Sequence, residues 1–146
     1  MTRAAKPAIL FGAPVPSFKR PSDVKLDSVV LHDAVACTYK GVVQASWKRA
    51  KAGSPQGVAY TIDDGGQIRL HHAPHHFARH TGIKQEPIGL DMRSVGVEVT
   101  NVADPRRKPA RGQRVVAAPW APELGGKFIW PNLAQMEAAY ELVAWL

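Results

Sequence analysis

Apolar residues in this 146-residue chain fall into short runs, and the spacing inside each run separates strands from helices. Val29-Val30-Leu31 is continuous, which predicts a strand buried on both faces, as in a parallel sheet. Val58 to Ile62 and Ile68 to Leu70 flank Asp63-Asp64-Gly65-Gly66. An Asp-Gly step between two apolar runs predicts a hairpin, because glycine takes the positive φ of a tight turn. Val95 to Val99 is the clearest strand. Gly41 to Ala52 has helical spacing, with Val43, Trp47 and Ala50 inward, Lys48, Arg49 and Lys51 outward, and Gly53-Ser54-Pro55 as its end. A last helix starts at Asn132, with Gln135 completing a variant of the capping box. Leu133, Met136, Tyr140 and Val143 form one apolar stripe on it, and Leu142, Trp145 and Leu146 a second, so burial on most sides is expected. The order strand, helix, hairpin, strand, helix predicts an α/β domain with a mixed central β-sheet flanked by helices.

Between these elements, residues 1–23 carry Pro7, Pro14, Pro16 and Pro21 and read as a Pro-rich extended arm, with the domain running over residues 24–146. Residues 71–93 read as one long histidine-rich loop, and a loop of that length in a compact domain is usually functional. Residues 101–131 are rich in Pro, Gly and Arg, with Arg106-Arg107-Lys108, Arg111 and Arg114 as an exposed basic loop. Trp47, Trp130 and Tyr140 are expected in the core. The last helix has no Gly, Pro or cation to stop it, and it ends on Trp145-Leu146. The expectation is that the natural domain continues past this point or that a partner covers it, self-association through this helix included.

Composition narrows the class. Hydrophobic content of 45% suits a globular chain with a real core. No apolar run approaches the roughly 20 residues that span a bilayer, so no membrane insertion is expected. Met1 to Pro16 is too short and too broken by proline for a clear signal peptide, which leaves the export route open. The formal charge of +7 favours polyanionic partners, namely nucleic acid, an anionic membrane or bacterial wall polymer. Aromatic residues are not interleaved with the arginines, so nucleic acid is not expected as the partner. Cys37 is the only cysteine; it cannot form an internal disulfide and reads as a small core residue.

The candidate chemistry lies at strand ends. His32 closes the first apolar run, and Glu98 sits among the valines of the best strand. The other five histidines, His71, His72, His75, His76 and His80, fall within ten residues. An imidazole just past a buried strand suits a metal ligand or a proton-transfer group. His71 to His76 read as a solvated polar loop.

Four segments then line up in order: Val29-Val30-Leu31-His32-Asp33-Ala34, Ala59-Tyr60-Thr61-Ile62-Asp63-Asp64-Gly65-Gly66-Gln67-Ile68, Ala78-Arg79-His80-Thr81-Gly82 and Ser94-Val95-Gly96-Val97-Glu98-Val99. With Gln135 to Leu146 they resemble the zinc-dependent N-acetylmuramoyl-L-alanine amidases, whose fold is shared with peptidoglycan-recognition proteins. The resemblance covers roughly residues 27–146. It implies that His32 is the first zinc ligand and that Glu98, in the "G-[IV]-E" strand, is the general base. It places His80 in the position of the "WHAG" histidine beside the substrate groove, with Arg79 and Thr81 replacing Trp and Ala. Tyr60 falls in the "HY-x-ID-x-DG" strand, where Ala59 stands for a frequent histidine. His80, Tyr60 and Arg79 are thus implied substrate-binding residues.

The reaction so implied is cleavage of the amide between N-acetylmuramic acid and L-alanine of the stem peptide, with Zn2+ activating water and peptidoglycan of the bacterial cell wall as the partner. Family members place two further zinc ligands after the last helix, so the resemblance implies a C-terminally shortened domain. The alternatives are a non-catalytic peptidoglycan-binding module and, more distantly, a basic nucleic-acid-binding domain.

Overall fold

A computed structural model of the chain describes residues 5–33, 38–81, 89–101, 108–110, 112–120 and 122–146. Cys37, Arg106, Arg107 and Arg111 lie outside the described residues. The centre is a five-stranded sheet of β1 (Ile9–Phe11), β3 (Ser28–Asp33), β4 (Tyr60–Ile62), β5 (Ile68–Leu70) and β7 (Ser94–Val99), in the order β1-β5-β4-β7-β3. β4 and β5 are antiparallel, whereas β3 and β4 both run parallel to β7, and β1 parallel to β5. Helices α1 (Tyr39–Lys51), α2 (Leu90–Arg93) and α3 (Leu133–Trp145) complete the α/β architecture. The fold class is the one the apolar pattern predicts.

The β4–β5 hairpin forms as its Asp-Gly turn dictates. Asp63 Oδ1 accepts from the backbone N–H groups of Gly65 and Gln67 at 3.1 and 3.0 Å, and Gly66 takes φ +77°. The same glycine lets α3 approach, because a Cβ there would lie 2.7 Å from the Ala134 carbonyl oxygen. Asn132 holds the junction: its side-chain amide donates to Asp64 O at 2.7 Å, and its Oδ1 accepts from Gln135 N at 2.9 Å. The expected capping box is complete, with Gln135 Oε1 accepting from Asn132 N at 3.1 Å.

α3 packs one face of the sheet through Ala138 and Leu142, against Tyr60, Ile62, Ile68 and the odd-numbered valines of β7, Val95, Val97 and Val99. Burial on most sides, as expected from its two stripes, does not occur. The buried positions are Gln135, Ala138 and Leu142, whereas Leu133, Met136, Tyr140 and Val143 face out, Tyr140 at 77% exposure. Gln135 wins an interior position because it can satisfy three groups there, Asn132 N, Gln113 Nε2 and Thr100 O; satisfied polar groups bury at little cost. Trp47 is likewise exposed rather than in the core, because α1 buries Val42 and Ser46 and not the Val43–Trp47–Ala50 line. Its indole N–H donates to Pro14 O at 2.9 Å.

Further expectations are corrected. β3 is an edge strand, so Leu31 is 54% exposed and not buried on both faces. The histidine-rich stretch is not one loop: β6 (His76–Phe77) pairs antiparallel with β2 (Phe18–Lys19), α2 follows, and His71 is buried, bonded to Thr61 Oγ1 at 2.8 Å and Ala13 O at 2.6 Å. Residues 101–131 contain a hairpin of β8 (Arg114–Ala117) and β9 (Lys127–Trp130). The segment read as an arm supplies β1 to the sheet edge and β2 to the small ribbon. No helix among the described residues is long and apolar enough to cross a membrane.

Two residues of the same apolar helix should therefore differ sharply on truncation. Leu142→Ala should cost about 2–5 kcal/mol, as removal of a fully buried leucine does, and Tyr140→Ala within about 0.5 kcal/mol, as for exposed sites. Urea unfolding of both variants checks this.

Candidate active site

Parallel pairing of β3 with β7 puts His32 directly beside Glu98. Residues paired across neighbouring strands share a face, and successive residues alternate. Because Val95, Val97 and Val99 face the core under α3, Gly96 and Glu98 must face the other way, and His32 with them. A polar pocket of ≈ 170 Å³ opens there, lined by His32, Glu98, His80 and Arg79 with Ser46 and Arg49 of α1.

His80 reaches this face over the bare backbone of Gly96. A Cβ at Gly96 would lie 2.8 Å from the His80 ring, so only glycine leaves the ring its place. Asp91 pins the loop, its Oδ1 accepting from His80 N, Thr81 N and Thr81 Oγ1 at 2.9, 2.8 and 2.9 Å.

A directed hydrogen-bond chain follows, and it fixes the ring protons. Ser94 Oγ donates to Leu90 O at 2.6 Å, because a carbonyl can only accept. Its hydroxyl proton being spent, Ser94 Oγ accepts from His80 Nε2 at 3.0 Å. His80 Nδ1 is then the unprotonated nitrogen and accepts from His32 Nε2–H at 2.9 Å, which leaves His32 Nδ1 with its lone pair.

Electrostatics favour these neutral forms. Burial lowers the His80 pKa to about 4, the Asp91 carboxylate opposing and the His32, His72 and Arg20 charges assisting. Burial also lowers that of His32, again against Asp91. Glu98 moves the other way: burial raises its pKa, and Arg49 partly offsets the rise. A carboxylate made more basic beside two uncharged imidazoles is a group suited to accept a proton.

Of the residues expected in the site, His32, Glu98, His80 and Arg79 meet at this pocket. Tyr60 does not: it is buried in the core cluster under α3 and lines a different cavity. Sequence reasoning turned Arg49 outward, as it is, but missed that it lines this pocket; it also missed Ser94, Asp91 and the positioning glycine, Gly96. A glycine inside a valine strand was the available signal for the last.

Zinc can be tested against this donor set. A catalytic zinc takes three protein ligands. Two imidazoles converge here, but no group of three His, Cys, Asp or Glu side chains able to hold a metal ion occurs among the described residues. The described donors therefore do not complete the implied site.

No protein-family model and no curated protein matches the sequence. The fold, however, is the one shared by N-acetylmuramoyl-L-alanine amidases and peptidoglycan-recognition proteins. The endolysin amidase LysCS from Clostridium intestinale URNW superposes with a TM-score of 0.62 at 12% identity, over 97% of this chain and 74% of that one. PGRP-Hd from Alvinella pompejana gives 0.54 at 15% identity, over 95% and 77%, and Drosophila peptidoglycan recognition protein SA gives 0.54 at 11%, over 94% and 70%. The resemblance drawn from the motifs is thus matched at the level of the fold.

A pH dependence follows from His80. Its folded pKa lies below the roughly 6.5 of an unfolded histidine, so between those values the unfolded chain holds a proton that the folded chain does not. Its contribution is therefore complete above pH 6.5 and is lost as pH falls toward 4, a total of up to about 3 kcal/mol. NMR titration of the His80 ring should give a midpoint near 4; a midpoint near the ordinary value would contradict the buried, neutral ring.

Proposed function

We propose that this domain acts on bacterial peptidoglycan, binding the muramoyl-peptide junction in the His32–Glu98 pocket and hydrolysing the amide between N-acetylmuramic acid and L-alanine. The observation that carries this reading is the pairing of His32 with Glu98 on adjacent strands, both opening into one polar pocket, on a fold shared with such amidases. In this reading Glu98 takes a proton from water as the oxygen attacks the amide carbon. The Arg79 and Arg49 guanidiniums lie where they can meet the developing oxyanion or the carboxylates of the stem peptide. The C–N bond then breaks, and Glu98 returns the proton to the leaving amine. His32, its ring held by His80 through their mutual hydrogen bond, keeps the Nδ1 lone pair free to accept from a substrate N–H.

A second reading, recognition without cleavage, is favoured by the donor set: the described residues supply two imidazoles where a catalytic zinc would take three ligands. Both readings use the same pocket and part on one substitution. Glu98→Gln keeps shape and hydrogen bonding and removes the base. If the domain hydrolyses, free amino termini of L-alanine should appear on incubation with muropeptides, and the variant should lower their rate of release by about 10²–10⁴-fold while still sedimenting with insoluble peptidoglycan. Sedimentation with no amine release by the unsubstituted chain would support the binding module instead. Failure to sediment at all would count against both.

A further inference from the structure

The outward side of α3 borders a groove of ≈ 480 Å³, larger than the polar pocket, which runs between that helix, β3 and the β8–β9 hairpin. Its lining is largely apolar: Leu31 and Val99 from the sheet, Phe128 and Trp130 from β9, Met136 and Val143 from α3. The walls are tied together, with Trp130 Nε1–H donating to Met136 Sδ at 3.2 Å and Asn101 Nδ2–H to Ile129 O. Tyr140 also lines the groove and stands out from it, and Leu31, Met136 and Val143 are each at least 40% exposed. Single exposed apolar side chains are ordinary on a protein surface, whereas a contiguous set marks an interaction site.

Charge is divided across this groove. Glu137 and Glu141 are the only charged residues of α3; both are exposed and lie beside Met136 and Tyr140. On the hairpin side, Arg114 pairs with Trp130 across the two strands and so shares its face; it is exposed too. None of the three enters an ion pair among the described residues. One side of the groove is thus anionic, the other is cationic, and both charges are uncommitted. A two-fold axis through the groove would set the anionic side of one copy on the cationic side of the other. It would do so twice, because an isologous contact repeats every pairing.

We propose that this face binds a second copy of the same chain, as a two-fold dimer. Tyr140 of each copy enters the groove of the other, and Glu137 and Glu141 meet the other copy's Arg114. The whole chain carries +7, so two copies repel one another in most orientations. The α3 side, locally anionic, is where that repulsion is weakest. Tyrosine and arginine are also the residue types that most often anchor such contacts. The groove shares only His32 with the polar pocket, so the dimer does not depend on what that pocket binds.

Sedimentation equilibrium of the full chain, from micromolar to submillimolar concentration, tests this. The mass should rise with concentration and level off at two copies. Tyr140→Glu should weaken association by about 30-fold, the effect of losing an aromatic anchor. Arg114→Glu alone, or Glu137→Lys with Glu141→Lys, sets like charges opposite one another and should also weaken it. The three charge substitutions together restore pairing with the signs exchanged, and association should recover. All four positions are exposed, so the variants should keep the circular dichroism of the unsubstituted chain; should Tyr140→Glu not fold, the charge variants decide. A mass that stays at one copy throughout would overturn the proposal and leave the groove to a different occupant. Growth past two copies, undiminished association in Tyr140→Glu, or no recovery in the triple variant would overturn it as well.

Discussion

The arrangement rests on one register: β3 pairs with β7 so that His32 stands against Glu98. A slip of one residue would turn every side chain of β3 to the other face. The valines of β7 prevent it from one side, because Val95, Val97 and Val99 are all in the core. The imidazole and carboxylate are then left together on the opposite face. The hydrophobic effect thus sets the position of the polar pair, which contributes little to the core itself.

The third group of the site arrives by a different device. His80 lies on no regular element, so Asp91 fixes its loop by three hydrogen bonds and Gly96 vacates the space its ring occupies. Its ring then links His32 to Ser94, and the chain of donors runs in one direction to the Leu90 carbonyl. Burial keeps both rings neutral while raising the basicity of Glu98. The same desolvation has opposite chemical effects because it disfavours the charged form, the cation of a histidine and the anion of a glutamate.

Much of this was legible in the sequence where local chemistry and tertiary packing agree. The Asp-Gly hairpin, the Asn132–Gln135 capping box and the Val95–Val99 strand form as their patterns require. Reading failed where burial was decided by long-range partners. Gln135 is interior because Thr100 and Gln113 meet it, and no periodicity in α3 announces that. The Phe128-Ile129-Trp130 run had strand character, but the surrounding Pro, Gly and Arg hid its hairpin. At the site, motif order brought His32, Glu98, His80 and Arg79 to one pocket. It misplaced Tyr60, whose strand faces the core at that position.

The position a substrate fragment takes on the domain is the most direct test of the His32–Glu98 pocket. Titration of the ¹⁵N-labelled chain with a soluble muramoyl-peptide, followed by amide and side-chain NMR shifts, measures that without requiring turnover. Shifts centred on His32, Gly57, Arg79, His80 and Glu98, which line the polar pocket, are the predicted result. Shifts centred instead on the exposed face of α3, at Met136, Tyr140 and Val143, with none at His32 or Glu98, would contradict it.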